Sequence, residues 1–83
     1  MITATNIAFT LLIKINGRLR EFNFRKRSEV NYDTDTNDDY TNRYFFKMEK
    51  VEGAWKIVGK ELPKWLLENE IQIGEALENH KQP

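Results

Sequence analysis

The sequence predicts a two-layer α+β fold: a four- or five-stranded antiparallel β-meander with one C-terminal α-helix packed on one face. Three features of the 83 residues predict it. Apolar and polar side chains alternate from Ile7 onward, as in half-buried strands. Two dipeptides, Asn16-Gly17 and Glu52-Gly53, mark hairpin turns. A segment rich in Leu, Glu and Ala follows Pro63 and is typical of a helix.

The first hairpin joins predicted strands at 5–15 and 18–28. Asn-Gly supplies the positive φ values that a type I′ turn needs. A two-residue turn pairs Ile15 with Arg18 and therefore sets Leu11 opposite Phe22. Both strands then place their large apolar side chains on one face of the sheet.

Three further strands are predicted at 30–37, 43–51 and 54–60. The alternation continues beyond Ser28, so the chain from 18 to 37 forms either one long bent strand or two strands. A tract of Asp, Asn and Thr from 35 to 42 favours a turn. The resulting register sets Thr34 opposite Phe46 and Met48 opposite Ile57.

The helix is predicted at about 62–79, and its apolar stripe should cover the apolar face of the sheet. Asn69 lies within this stripe, so it either needs a hydrogen-bond partner or marks a gap in the packing. The predicted core consists of Leu11, Phe22, Phe46, Met48, Trp55, Ile57, Leu66 and Ile73.

Length and composition predict a single domain, 1–83, because 40% hydrophobic and 31% charged residues are typical of globular chains. Thirteen basic residues balance thirteen acidic ones, so net charge attracts neither polyanions nor membranes. The absence of cysteine excludes disulfides and zinc ribbons and suits a reducing compartment. No signal-peptide pattern and no apolar run of roughly 20 residues is present. We therefore expect a cytoplasmic chain without a membrane partner.

The residue types needed for catalysis are scarce, and we expect no enzyme. The single histidine, His80, lies near the chain end, and the single serine, Ser28, has no acid–base partner nearby. The segment 33–38 has the spacing that begins a calcium-binding loop. It then departs from the pattern, with Asp38 where glycine is needed and Tyr44 where glutamate is needed. We predict no metal and no cofactor, since phosphate-binding glycine loops are also missing.

The predicted register collects cations on the sheet face away from the helix. They are Lys14, Arg25, Arg27, Arg43, Lys47, Lys56 and Lys60, with Leu12, Phe45 and Val58 among them. An exposed ring among cations is how several modules hold single-stranded nucleic acid. Arg43, Phe45, Lys47 and Lys56 are the predicted residues of such a site. The alternative is a solvated face, because Lys47 lies opposite Asp33 and Lys56 opposite Glu49.

The layout and the segment Asn42-Arg43-Tyr44-Phe45-Phe46 resemble the purine-rich-element-binding (PUR-type) repeat. That resemblance implies single-strand binding through the sheet. We assign the chain to no family on this basis.

Leu67 and Ile71 form a second apolar row, one helical turn apart and outside the core stripe. A second row on a one-helix domain indicates a protein contact. The alternative is a wide helix face that sinks into a curved sheet, or a bend at Gly74 that brings both rows inside. The leading prediction is a non-catalytic interaction domain, protein-binding or weakly self-associating, and the alternative is the nucleic-acid face.

Overall fold

The computed structural model describes residues 7–38 and 42–81 and confirms the two-layer α+β fold. Five strands form one antiparallel meander in the order β1-β2-β3-β4-β5. They are β1 (Ala8–Ile15), β2 (Arg18–Ser28), β3 (Asn31–Asn37), β4 (Arg43–Val51) and β5 (Ala54–Val58). Two helices follow, α1 (Lys64–Leu67) and α2 (Glu70–Lys81). Thr5 and Asn6, the first two residues of the predicted first strand, lie outside the described residues.

Both glycine dipeptides form the predicted turns, and Asn16-Gly17 has the predicted positive φ angles. The φ angles are 52° and 82° at Asn16 and Gly17, and 52° and 84° at Glu52 and Gly53. Two consecutive positive φ values define the type I′ turn, whose twist matches that of the flanking strands. The register follows as predicted, with Leu11 opposite Phe22 and Met48 opposite Ile57.

The chain from 18 to 37 forms two strands, not one bent strand, and turns at Glu29 and Val30. If the pairing of Ser28 with Asn31 at this turn continued along both strands, the register would place Asp35 opposite Phe24. A β-bulge between Lys26 and Ser28 absorbs the extra residue, so that Phe24 lies opposite Thr34 instead. The bulge therefore keeps the carboxylates of β3 out of the core.

The core lies between the sheet and the helices and is rich in aromatic rings. Tyr32 makes edge contacts with Phe24 and Trp55, at centroid distances of 6.4 and 5.6 Å. Leu11 and Ile57, which the sequence places in the core, are only partly buried. The buried residues are Ile13, Ile15, Phe22, Phe24, Tyr32, Phe46, Met48, Trp55, Leu66, Ile73 and Leu77.

The helical region differs from the single helix predicted at about 62–79. Leu62 and Pro63 precede α1, and the chain breaks at Glu68 and Asn69 before α2 begins. The Asn69 side-chain amide donates to the Trp65 carbonyl at 2.6 Å, while the Asn69 carbonyl accepts from the Ile73 N–H at 3.0 Å. The side-chain amide thus competes with backbone N–H groups for a carbonyl at the end of α1, and it satisfies that carbonyl. The hydrogen-bond partner of the Asn69 side chain is therefore the backbone carbonyl of Trp65, four residues earlier.

Helix α2 contacts both edges of the sheet. The Glu70 carboxylate accepts a hydrogen bond from the Ile57 N–H on β5 at 2.8 Å, and the Gln72 amide donates to the Lys14 carbonyl on β1. In a flat sheet the two edges would lie about 19 Å apart, four strand spacings. The sheet must therefore bend around α2, since side chains within one turn of this helix reach both edges.

Two buried threonines on β3 differ in their hydrogen bonding. The Thr36 hydroxyl donates to the Glu21 carbonyl at 2.8 Å. The Thr34 hydroxyl is also buried, but it has no partner among the described residues. Thr34 therefore carries an unsatisfied polar atom in the core, which costs free energy.

Burial also raises the pKa of Tyr32 above its ordinary value, because the phenolate would be poorly solvated. The pKa of Tyr44 is raised as well, first by partial burial and then by its hydrogen bond to Asp38. Both phenols are therefore favoured in the protonated form in the fold.

Candidate functional site

The sheet face opposite the helices, the outer face, carries the predicted nucleic-acid residues. Arg43, Phe45, Lys47 and Lys56 are all exposed there, and Phe45 is 69% exposed. Phe45 and Lys47 line a depression of about 950 Å³, which we call the outer-face depression. Arg43 and Lys56 lie outside its lining. The structure thus brings two of the four residues together around one concave surface.

The cations of the outer face are partly matched by acidic groups on β3. Arg27 forms an ion pair with Asp33 at 2.5 Å, and Arg43 pairs with Asp35. Asp35 also accepts from the Asn23 amide at 3.1 Å. The lining of the depression contains Arg25 and Lys47 against Asp33, Asp35 and Glu49. The outer-face depression is therefore mixed in charge rather than basic.

Arg25, Lys47 and Lys56 form no ion pair with another described residue. Lys47 lies opposite Asp33 and Lys56 opposite Glu49, as the predicted register requires. These cations can therefore still meet an anionic ligand, although acidic neighbours weaken the local potential.

The isolated histidine and serine each have a structural contact. The His80 ring stacks on Phe9 with a centroid distance of 4.1 Å. The Ser28 hydroxyl accepts from the Val30 N–H at 3.2 Å, a local turn contact. The tract 33–37 that resembles the start of a calcium loop belongs to β3 and not to a loop. Within residues 7–38 and 42–81, no group of three or more His, Cys, Asp or Glu side chains could hold a metal ion.

A second concave surface lies between α2 and the turn that joins β4 to β5. We call it the helix cleft; it has a volume of about 260 Å³. Ile71 lines it while being 75% exposed, the largest exposed fraction among the large hydrophobic side chains described. Gly74 and Ala54 contribute no large side chain, and Trp55 adds an apolar wall.

The rim of the helix cleft is acidic. Glu75 and Glu78 both line it. The Glu78 carboxylate accepts hydrogen bonds from the Lys50 ammonium at 3.1 Å and from the Trp55 indole N–H at 2.8 Å. Glu75 is exposed and forms no ion pair with a described residue. The cleft therefore combines an apolar floor with one free carboxylate.

The predicted row of Leu67 and Ile71 requires a correction. The two residues do not share one helix, because Leu67 ends α1 and Ile71 follows the break at Asn69. Both are exposed, Leu67 by 48%, but Leu67 does not line the helix cleft. Gly74, where the alternative interpretation places a bend, lies within the continuous helix α2 and is buried against Trp55. The sequence pattern did not show that Gly53 and Ala54 lie beside Ile71, because only the packing of α2 on β5 brings them together.

No protein-family model, curated protein or solved structure matches this chain. No helix in the part of the chain described is long and apolar enough to cross a membrane.

Proposed function

We propose that this chain is a small, non-catalytic protein-binding domain that docks a partner at the helix cleft. The observation that carries the proposal is the exposure of Ile71, 75%, beside a cleft with an apolar floor. Water contact with a large aliphatic side chain is unfavourable, and burying it on a partner would contribute up to about 2 kcal/mol. The structural contacts of His80 and Ser28 support the absence of catalysis.

The size of the cleft supports a protein partner rather than a small-molecule ligand. Its volume of about 260 Å³ is below the roughly 300–1,000 Å³ typical of ligand pockets. Such a space accommodates one or two apolar side chains that project from a larger surface. We therefore expect weak binding unless the partner also covers the surrounding helix surface, where Leu67 remains a predicted contact.

The charge of the rim indicates the chemistry of the partner. Glu75 is free to pair, and Glu68 of the intervening turn already has Lys64 at 3.7 Å. A partner that presents an apolar side chain flanked by lysine or arginine would meet both the floor and the rim. We propose the cytoplasm as its setting, which the absence of cysteine suits.

Chemical-shift perturbation with two designed helical peptides tests this proposal. One peptide carries leucine and lysine, and the other carries leucine and glutamate in the same pattern. We expect the lysine peptide to shift the amides of Gly53, Ile71, Gly74 and Glu75, and the glutamate peptide to shift them less. Added salt should weaken binding only in part, since the apolar contact is insensitive to screening.

Ile71→Lys and Leu12→Lys form a matched pair of controls. Each adds one positive charge in place of an exposed aliphatic residue, but only Ile71 lines the cleft. Ile71→Lys should abolish the shifts, and Leu12→Lys should leave them unchanged. Equal loss in both variants, or equal binding of both peptides, would contradict docking at the helix cleft.

A second candidate function is weak binding of single-stranded nucleic acid at the outer-face depression. The exposure of Phe45 beside Lys47 and Arg25 favours it, because bases stack on exposed rings while cations hold phosphates. A mixed oligonucleotide at low salt should then shift Phe45 and Lys47 and leave Ile71 unchanged. Phe45→Ala should remove those shifts, and binding should fall steeply with salt. Shifts that survive Phe45→Ala would exclude this site.

A further inference from the structure

Strand β1 has an open hydrogen-bonding edge. The Lys26 N–H donates to the Ile7 carbonyl at 2.9 Å, so the odd-numbered residues of this strand face β2. The backbone groups of Ala8, Thr10 and Leu12 therefore point outward, and they have no partner among the described residues. The Gln72 side-chain amide donates a hydrogen bond to the outward carbonyl of Lys14 and so covers the far end of this edge.

The opposite edge of the sheet is closed. β5 has only five residues, and Glu70 accepts from its outward Ile57 N–H at 2.8 Å. α2 also lies against this strand, since a Cβ atom added at Gly74 would sit 2.7 Å from the Trp55 Cβ. No further strand can therefore pair with β5 along its length without moving α2.

The open edge lacks the usual devices that prevent pairing. Between Ala8 and Ile13 there is no charged residue and no proline, and β1 pairs with β2 in an unbroken register without a bulge. Leu12 is 63% exposed on the outer face, and Phe9 and Leu11 are only partly buried on the inner face. A strand added here would satisfy backbone groups and cover apolar side chains on both faces.

We propose that β1 pairs with β1 of a second copy of the chain, antiparallel and about a two-fold axis at Thr10. In this register Thr10 lies opposite its own equivalent, and Ala8 lies opposite Leu12 of the second copy. All three pairs use outward backbone groups, and each exchanges two hydrogen bonds. The Lys14 carbonyl, held by Gln72, stays outside the paired segment.

The second copy is the occupant because the fold leaves a single open edge among the described residues. Pairing of two copies must then be isologous, which closes the assembly as a dimer rather than a fibre. The paired segments carry no charge, so the identical sequences do not repel each other. This inference uses a surface separate from the helix cleft and does not depend on the proposed function.

Sedimentation velocity of the full chain from about 20 µM to about 1 mM tests the dimer. We expect the wild type to shift from monomer to dimer over this range. Thr10→Pro removes the outward N–H without removing a backbone bond to β2, so it should weaken the dimer by about tenfold or more. The 2.6 Å bond from the Thr10 hydroxyl to the Asn23 side chain on β2 is lost in both Thr10→Pro and Thr10→Val, so it does not distinguish the two variants. Thr10→Val keeps the N–H and should dimerise like the wild type. Circular dichroism checks that each variant is folded.

A second variant and an exchange measurement keep the inference testable if Thr10→Pro fails to fold. Leu12→Lys should weaken the dimer by charge at the paired edge. Amide exchange of Ala8, Thr10 and Leu12 should slow as concentration rises. A chain that stays monomeric at about 1 mM overturns the inference. A dimer that Thr10→Pro and Leu12→Lys leave intact, or that Ile71→Lys abolishes, also overturns it.

Discussion

Helix α2 packs closely on β5 at Gly74, and Gly74→Ala tests this contact directly. The added Cβ would lie 2.7 Å from the Trp55 Cβ. Carbon atoms in contact normally lie about 3.5–4.0 Å apart, so α2 would have to withdraw from β5 by roughly 1 Å.

The size of the effect follows from opposing contributions. Alanine in a helix interior is favoured over glycine by about 1 kcal/mol. Overpacking of a core costs about 1–3 kcal/mol. Withdrawal of α2 would also lengthen the 2.8 Å hydrogen bonds from Ile57 to Glu70 and from Trp55 to Glu78. Because these bonds involve charged acceptors, their weakening adds to the loss. We expect a net loss of about 1–2 kcal/mol, a large share of a small domain's stability.

Urea denaturation followed by tryptophan fluorescence measures this change, since Trp55 lies at the contact. Asn79→Ala is the control, because Asn79 is exposed on the same helix. It should stabilise the fold by about 0.5 kcal/mol through helix propensity alone. If Gly74→Ala also raised the free energy of unfolding, by about 1 kcal/mol, then α2 would not pack closely on β5 at Gly74, and the reasoning from the Trp55 contact would be wrong.

Two further predictions concern buried polar groups. Thr34→Val removes a buried hydroxyl without a partner among the described residues, so it should stabilise the fold by about 1 kcal/mol. Thr36→Val loses the hydrogen bond to the Glu21 carbonyl, so it should destabilise the fold by about 1 kcal/mol. Thermal denaturation of both variants compares them, and changes of the same sign would contradict this assignment. Since burial raises the pKa of Tyr32 above 10.0, the stability it contributes is present below that pH and is lost as pH rises through the folded-state pKa. Denaturation between pH 8 and 11 should show this loss, and Tyr32→Phe should reduce it; an unchanged pH profile would refute the role of Tyr32.

Turn chemistry and alternation made much of the sheet predictable. Asn16-Gly17 and Glu52-Gly53 each specify a two-residue turn, and such a turn fixes which residues face each other over the whole hairpin. The pairs Leu11–Phe22 and Met48–Ile57 follow from that local rule and from the burial of one face. The same rule placed Phe45 and Lys47 on the outer face, where the structure has them.

Features that depend on long-range packing were not predictable in this way. The bulge between Lys26 and Ser28 shifts the register of β2 against β3 by one residue, and periodicity averages over such a change. The helix break at Asn69 is local, since its side chain donates to the Trp65 carbonyl, but helical periodicity does not show it either. The closed β5 edge depends on Glu70 reaching Ile57, 13 residues away.

The sequence by itself determined the strands, the registers of the two glycine hairpins and the apolar faces, because neighbouring residues in short turns settle them. Only the tertiary structure decided which surfaces remain open. The position of α2 closes β5, leaves Ile71 beside a cleft and exposes the edge of β1. That position results from packing between segments far apart in the chain, at Gly74 against Trp55 and at Gln72 against Lys14.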